Sequence, residues 1–289
     1  MAKVLIIADL KGRGCATPRG LELAAKLGLD ADVAAITYAS LKSLNVKASE
    51  HAAIKKRLLE EREQVVGERV ERYRQEGQKV NLKVVWEKDV DKWVKKACGR
   101  GGYAAVVKTG SNTGSLVHTS TDWQLLRECP APVLIVAEKK WHRTRPVLVT
   151  LDLGTKLAEK KALNRKVLQT ARILAEALGV ELEIIAAIEV PTLLQDLDLV
   201  DPVAYTREAR EAMQPHLEAL AAACELPEKA FHVKRGPVEK VITSRAAKVR
   251  AQIVVMGTVA RKGVKARLLG NTAENVLRHM KTDVLAIKP

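Results

Sequence analysis

Two copies of one pattern run through this chain, and that repeat constrains its fold more than any other feature of its 289 residues. VLIIADLKG, starting at Val4, matches VLVTLDLGT, starting at Val147, and TDWQLLRECPAPVLIVAE matches AENVLRHMKTDVLAIKP at the end of the chain. The period is about 143 residues, long enough for each copy to bury its own core. The copies meet in the short basic stretch from Glu138 to Arg145, so domains are expected at 1–140 and 146–289.

Each copy alternates short apolar, β-branched runs with amphipathic stretches, which argues an α/β fold with parallel strands and right-handed crossovers. In the first half strands are expected at 3–8, 33–38, 80–86, 103–108 and 133–137, and helices at 16–27, 49–77, 90–98 and 121–127. In the second half strands are expected at 146–151, 182–188, 231–234 and 253–256, followed by the closing strand, and helices at 156–178, 205–224, 238–249 and from Asn271 onward.

Charge and cysteine usage narrow the function. Net charge is +15, with 27 basic against 17 acidic residues in 1–145 and 22 against 17 in 146–289. Spread over both halves without a polybasic tail, this favours anionic small ligands or loose non-specific polyanion contact over sequence-specific DNA binding. Aromatic residues make up only 3% of the chain, too few for a stacking platform on single strands. Cys15, Cys98, Cys129 and Cys224 stand far apart and read as reduced, mostly buried thiols, and the six histidines show no metal-binding spacing. No apolar run reaches membrane-spanning length and the chain enters a strand at once, so a soluble cytoplasmic protein is expected.

Chemistry concentrates near the end. The run Ile253–Met256 stops at Gly257; Arg261, Lys262, Lys265 and Arg267 follow with Gly263 among them; then Gly270 precedes a helix with Asn271 as its expected N-cap and Glu274 as capping-box partner. Strand, glycine loop and helix start together make anion-binding geometry, because unpaired amides and the positive end of the helix dipole face the loop. It is no P-loop: neither G-x-x-x-x-G-K-[ST] nor G-x-G-x-x-G occurs here.

The spacing Gly257, Ala260, Gly270-Asn271-Thr272, with its flanks IVVMG, LLGNTAENVL and DVLAIKP, resembles the G-x2-G-x9-G-[ST] nucleotide signature of the universal stress protein family. Ala260 replaces the middle glycine, and Asn271 stands where Ser or Thr is usual. The first copy has VVKTGSNTGSLVHTSTDW instead, with Thr119-Ser120-Thr121 in place of Gly270-Asn271-Thr272, so its motif is degenerate. The resemblance covers the whole chain in a tandem form. It implies two doubly wound Rossmann-like domains, each a five-stranded parallel sheet flanked by helices, related by a pseudo-two-fold as an internal dimer or assembled as a homodimer. It also implies ATP or AMP, with Mg²⁺ alongside, in the second domain, contacted by Asp152, Ile188, Gly257, Ala260, Gly270, Asn271 and Thr272, with Arg261, Lys262, Lys265 and Arg267 as phosphate contacts.

Asp152, at the carboxyl end of its strand, reads equally as the adenine-side contact or as a cap on the following turn. Asp9 matches it, but without a phosphate loop in its half it reads as structural. Trp123 reads as core. The apolar segment 190–202 reads as a buried connector or as a wall of an apolar pocket. No catalytic constellation is found, which favours a non-catalytic stress-response binder. A nucleotide hydrolase, and a carrier of an anionic or apolar ligand such as a lipid intermediate, stay open beside it.

Overall fold

A computed structural model describes all residues except 1, 11–13, 42–46, 111–115, 118, 140 and 259–268. Ala260, Arg261, Lys262, Lys265 and Arg267 therefore lie outside the described residues. The chain divides into two compact units, the first drawn from residues 1–112 and 117–139, the second from 140–289.

The first unit runs β1 (Lys3–Ile7), α1 (Ala16–Lys26), β2 (Asp30–Thr37), α2 (His51–Tyr73), β3 (Val80–Trp86), α3 (Val90–Gly99), β4 (Tyr103–Thr109), α4 (Ser120–Glu128) and β5 (Val133–Val136). Its strands pair in parallel in the order β3-β2-β1-β4-β5. The strand order reverses between β1 and β4, which places a crevice at their carboxyl ends. Helices α1 and α2 pack together on one face, α3 and α4 on the other. Val4, Leu5, Ile6, Val106 and Val107 are buried, which is why the inner strands read as unbroken apolar runs.

The second unit repeats this with β6 (Val147–Thr150), α5 (Ala158–Leu178), β7 (Leu182–Ile188), α6 (Thr192–Asp196), α7 (Pro202–Ala223), β8 (Phe231–Arg235), α8 (Val238–Val249), β9 (Ile253–Gly257), α9 (Asn271–His279) and β10 (Asp283–Ile287). The parallel order is β8-β7-β6-β9-β10, the same winding as in the first unit. Register fixes the equivalences: Thr109 lies opposite Val136 as Gly257 lies opposite Ile287, and Leu5 opposite Asp32 as Leu148 opposite Glu183.

Five expectations need correction. Strand β2 begins at Asp30 rather than Val33. Helix α2 ends at Tyr73 rather than Gly77, because Arg74 is already extended. Segment 190–202 is no buried connector: it holds α6, and Leu193, Leu197 and Leu199 are 58–69% exposed. Helix α7 starts at Pro202 rather than Tyr205, because the Asp201 carboxylate accepts from the Val203 amide and proline suits the first turn. The N-cap of α9 is Gly270, not Asn271, which is already helical.

Helix and sheet approach closely in both units, and glycine permits it on different partners. A Cβ on Gly20 of α1 would fall 2.7 Å from the Ile6 side chain in the first unit. In the second the glycine is on the strand: a Cβ on Gly257 would fall 2.9 Å from Leu163 of α5. Gly257 is thus required by packing and not by a left-handed backbone.

Candidate functional site

The carboxyl ends of β6 and β9 bring Asp152, Gly257 and the start of α9 to one crevice. Asp152 is exposed, and its carboxylate meets Lys160 of α5 at 3.0 Å. An ion pair this open to water contributes at most about 1 kcal/mol, so it leaves the carboxylate available. The backbone of Asp152 is held firmly. Asn164 accepts from the Asp152 amide at 3.1 Å and donates to its carbonyl at 2.8 Å. Asn164 is only 6% exposed, a polar side chain set among Leu163, Val167 and Leu168 on the apolar face of its helix. The next residue is braced as well: His216 of α7 lies 3.0 Å from the Leu153 carbonyl through Nδ1, which must carry the hydrogen because a carbonyl only accepts. The Asp152 side chain makes no N-cap bond to α5, whose N-cap is Leu157.

Ile188 ends β7, 2% exposed, and its carbonyl accepts from Gly236 at 2.9 Å. At the other side of the crevice, Thr258 is anchored through its amide to the Ile287 carbonyl at 2.8 Å. Helix α9 starts with an N-cap that contributes no side-chain hydrogen bond, and Ala273 occupies its third position. Asn271 and Thr272 are exposed there. A helix start capped by glycine, with no acidic side chain before Glu274, retains the positive end of its dipole for an external anion. Across from it stands the exposed Asp152 carboxylate, its backbone anchored by Asn164.

In the first unit the described residues at the equivalent positions engage one another. Thr109, where the second unit has Gly257, accepts from the amides of Cys15 and Ala16 at 3.1 and 2.8 Å and so takes up the start of α1. Lys108, matching Met256, donates to Asp122 at 2.6 Å, and Asp122 is fully buried. Asp122 with Thr119 forms a reciprocal capping box on α4. Over Asp9 lies Gly14, so close that a Cβ there would fall 1.7 Å from the carboxyl carbon. Burial pushes the Asp9 carboxyl above the usual range, against the lowering effect of Thr109, Arg69 and Lys108. Arg62, buried beneath, donates to the Ala8 carbonyl at 3.0 Å, and Arg69 donates to the Gly14 carbonyl.

Asn164, His216, Thr109 and the pair Lys108–Asp122 were not singled out as site residues in the sequence. A polar residue on an otherwise apolar helical face was the available signal for Asn164. Among the described residues no group of three metal-ligating side chains occurs, and no helix is long and apolar enough to cross a membrane.

Residues 144–288 match the model of the Universal stress protein family. Universal stress protein E of Escherichia coli strain K12 is 32% identical over 246 residues, spanning 83% of this chain and 78% of that protein. The homologue from Haemophilus influenzae is 28% identical, over 84% and 81%. Among solved structures, a putative universal stress protein from Pseudomonas aeruginosa shares the fold at TM-score 0.71 and 24% identity, covering 100% of this chain and 94% of its own. One from Archaeoglobus fulgidus does so at 0.66 and 20%, covering 99% and 98%. By sequence over most of its length and by fold in both units, the chain belongs to the universal stress protein family.

Proposed function

We propose that this chain is a non-catalytic stress-response protein whose second unit holds one adenine nucleotide, ATP or AMP, while the first holds none. The phosphates would lie at the start of α9, and the base beside Asp152 and Ile188. The observation that carries this reading is the contrast between two equivalent helix starts. In α4 the cap is Thr119, with Asp122 supplying the negative charge and Lys108 balancing it. In α9 the same places hold Gly270, Ala273 and Met256, so neither the cap nor the third position brings a polar side chain, and the acidic residue of the first turn is Glu274, one place later.

The test is calorimetric titration of the full chain with ATP and Mg²⁺, wild type against Gly270→Thr/Ala273→Asp, which copies the first unit's cap into the second. One site per chain is expected in the wild type. The variant should bind about tenfold more weakly or worse, because a fixed carboxylate competes for the same helix end, while remaining folded by thermal melting. Two equivalent sites, or unchanged affinity in the variant, would refute the assignment. Steady phosphate release under the same conditions would favour a hydrolase instead.

A further inference from the structure

At the opposite end of the first unit, between α3 and the amino-terminal ends of β1, β2 and β3, lies a cavity of about 480 Å³. That is within the size range of small-molecule sites. Lys3, Asp32, Lys83, Trp93, Lys96 and Arg100 line it. Its single carboxylate is already engaged: Asp32 receives Lys3 at 3.1 Å on one oxygen and the Tyr103 hydroxyl at 2.7 Å on the other. Burial and the bond to Asp32 raise the Tyr103 pKa, so the phenol remains a donor. Lys83, Lys96 and Arg100 have no ionic partner among the described residues. The lining therefore holds Lys3 paired with Asp32, three further cations, and two aromatic side chains, Trp93 and Tyr103.

The second unit shows why the space is open. Glu183 stands where the first unit has Asp32, as the strand register shows. Helices α3 and α8 align through their buried positions, Val94 with Ile242 and Cys98 with Ala246. Ala97 then matches Arg245. Arg245 donates to Glu183 Oε2 through Nε at 2.7 Å and meets the same oxygen through Nη2, so an ion pair lies over the sheet there. In the first unit alanine leaves that volume vacant, and the surrounding cations face it.

We infer that this cavity is a binding site for a compact, multiply charged phosphate-bearing anion, separate from the crevice at the carboxyl ends of the strands. Lys83, Lys96 and Arg100 supply the charge, and Trp93 the wall. Its volume of about 480 Å³ suits a small ligand rather than a nucleic-acid strand, which needs an extended track with repeated stacking.

Inorganic tripolyphosphate is the probe, titrated into the full chain at about 0.15 M salt, where loose surface attraction is screened beyond about 8 Å. In the Gly270→Thr/Ala273→Asp background, where the start of α9 carries its own carboxylate, one saturable site is expected. Lys96→Glu/Arg100→Glu removes its charge, and Ala97→Arg closes it with the second unit's own device; each should weaken binding about tenfold or more. Arg261→Glu/Lys262→Glu, in the other unit, should leave this site unchanged. Absence of a saturable site in that background, undiminished affinity in both cavity variants, or loss confined to the 261/262 variant would overturn the inference. The charge-swap variant changes only exposed side chains, so it decides the matter should the alanine replacement disturb folding.

Discussion

The starts of α4 and α9 occupy the same place in the same fold, yet one is closed and the other open. In the first unit a threonine hydroxyl, a buried carboxylate and a lysine satisfy the helix end from within the chain. In the second, glycine and alanine leave it without a side-chain cap. The exposed Asp152 and the covered Asp9 repeat the contrast at the next strand end. Two units with one winding order thus differ in how these strand and helix ends are satisfied, through a handful of residues. Where an anion would sit, one copy provides its own. The cavity beneath α3 shows the converse exchange, with the ion pair in the second unit and the open space in the first.

The largest effect should come from opening the closed site. Asp122→Ala removes the capping box and leaves Lys108, 19% exposed, beside an empty buried position. Breaking such a pair costs about 3–5 kcal/mol, so denaturant unfolding should show severe loss of stability in the first unit. A loss under about 1 kcal/mol would mean that this network is not what holds α4. Asn164→Ala, which frees the Asp152 backbone, should cost about 1–3 kcal/mol by leaving buried polar groups unpaired, and should weaken ATP binding as well. Stability lost with affinity intact would separate Asp152 from the site.

Ala260→Gly restores the middle glycine of the family signature. If that position requires positive φ, relief of about 1 kcal/mol tightens ATP binding roughly five-fold; unchanged titration would show that it does not. The smallest effect is a pH dependence. Because the Asp9 pKa is raised in the fold, its contribution to stability is complete below the unfolded value and is lost as pH rises through the folded one. Asp9→Asn cannot ionise, so its stability relative to wild type should grow from acid toward neutral pH. A constant difference across that window would mean that Asp9 is not desolvated.

Much of the fold was legible because strands buried on both faces must be continuous apolar runs, and the helices between them must be amphipathic. Boundaries failed where side chains outside the periodic pattern decide them. Polar Asp30 and Asp32 belong to β2, although the apolar run begins at Val33, because Asp32 finds Lys3 and Tyr103 across the sheet. The cap of α9 was misplaced by one residue because asparagine is the stronger capping type, while the backbone puts Gly270 in the extended conformation there. Lys108 and Asp122 stand fourteen positions apart and become neighbours only when β4 and α4 pack, so no local spacing announces them. Gly257 was recognised as a strand stop, but its cause, Leu163, lies 94 positions earlier in the chain.

That contact bears on how the two halves can change over generations. Neighbouring repeats within one coding sequence tend to be made alike by recombination. Copying the threonine of position 109 into position 257 would bring a side chain against Leu163, whereas in the first half the close approach is between Gly20 of the helix and Ile6 of β1. A single exchanged residue is therefore punished by packing before any binding property is tested. Only a long tract that carries helix and strand together can pass. With glycine on the strand in one half and on the helix in the other, positions 257 and 163 are coupled by packing, so the two halves do not exchange these residues one at a time without a shift of the Leu163 side chain.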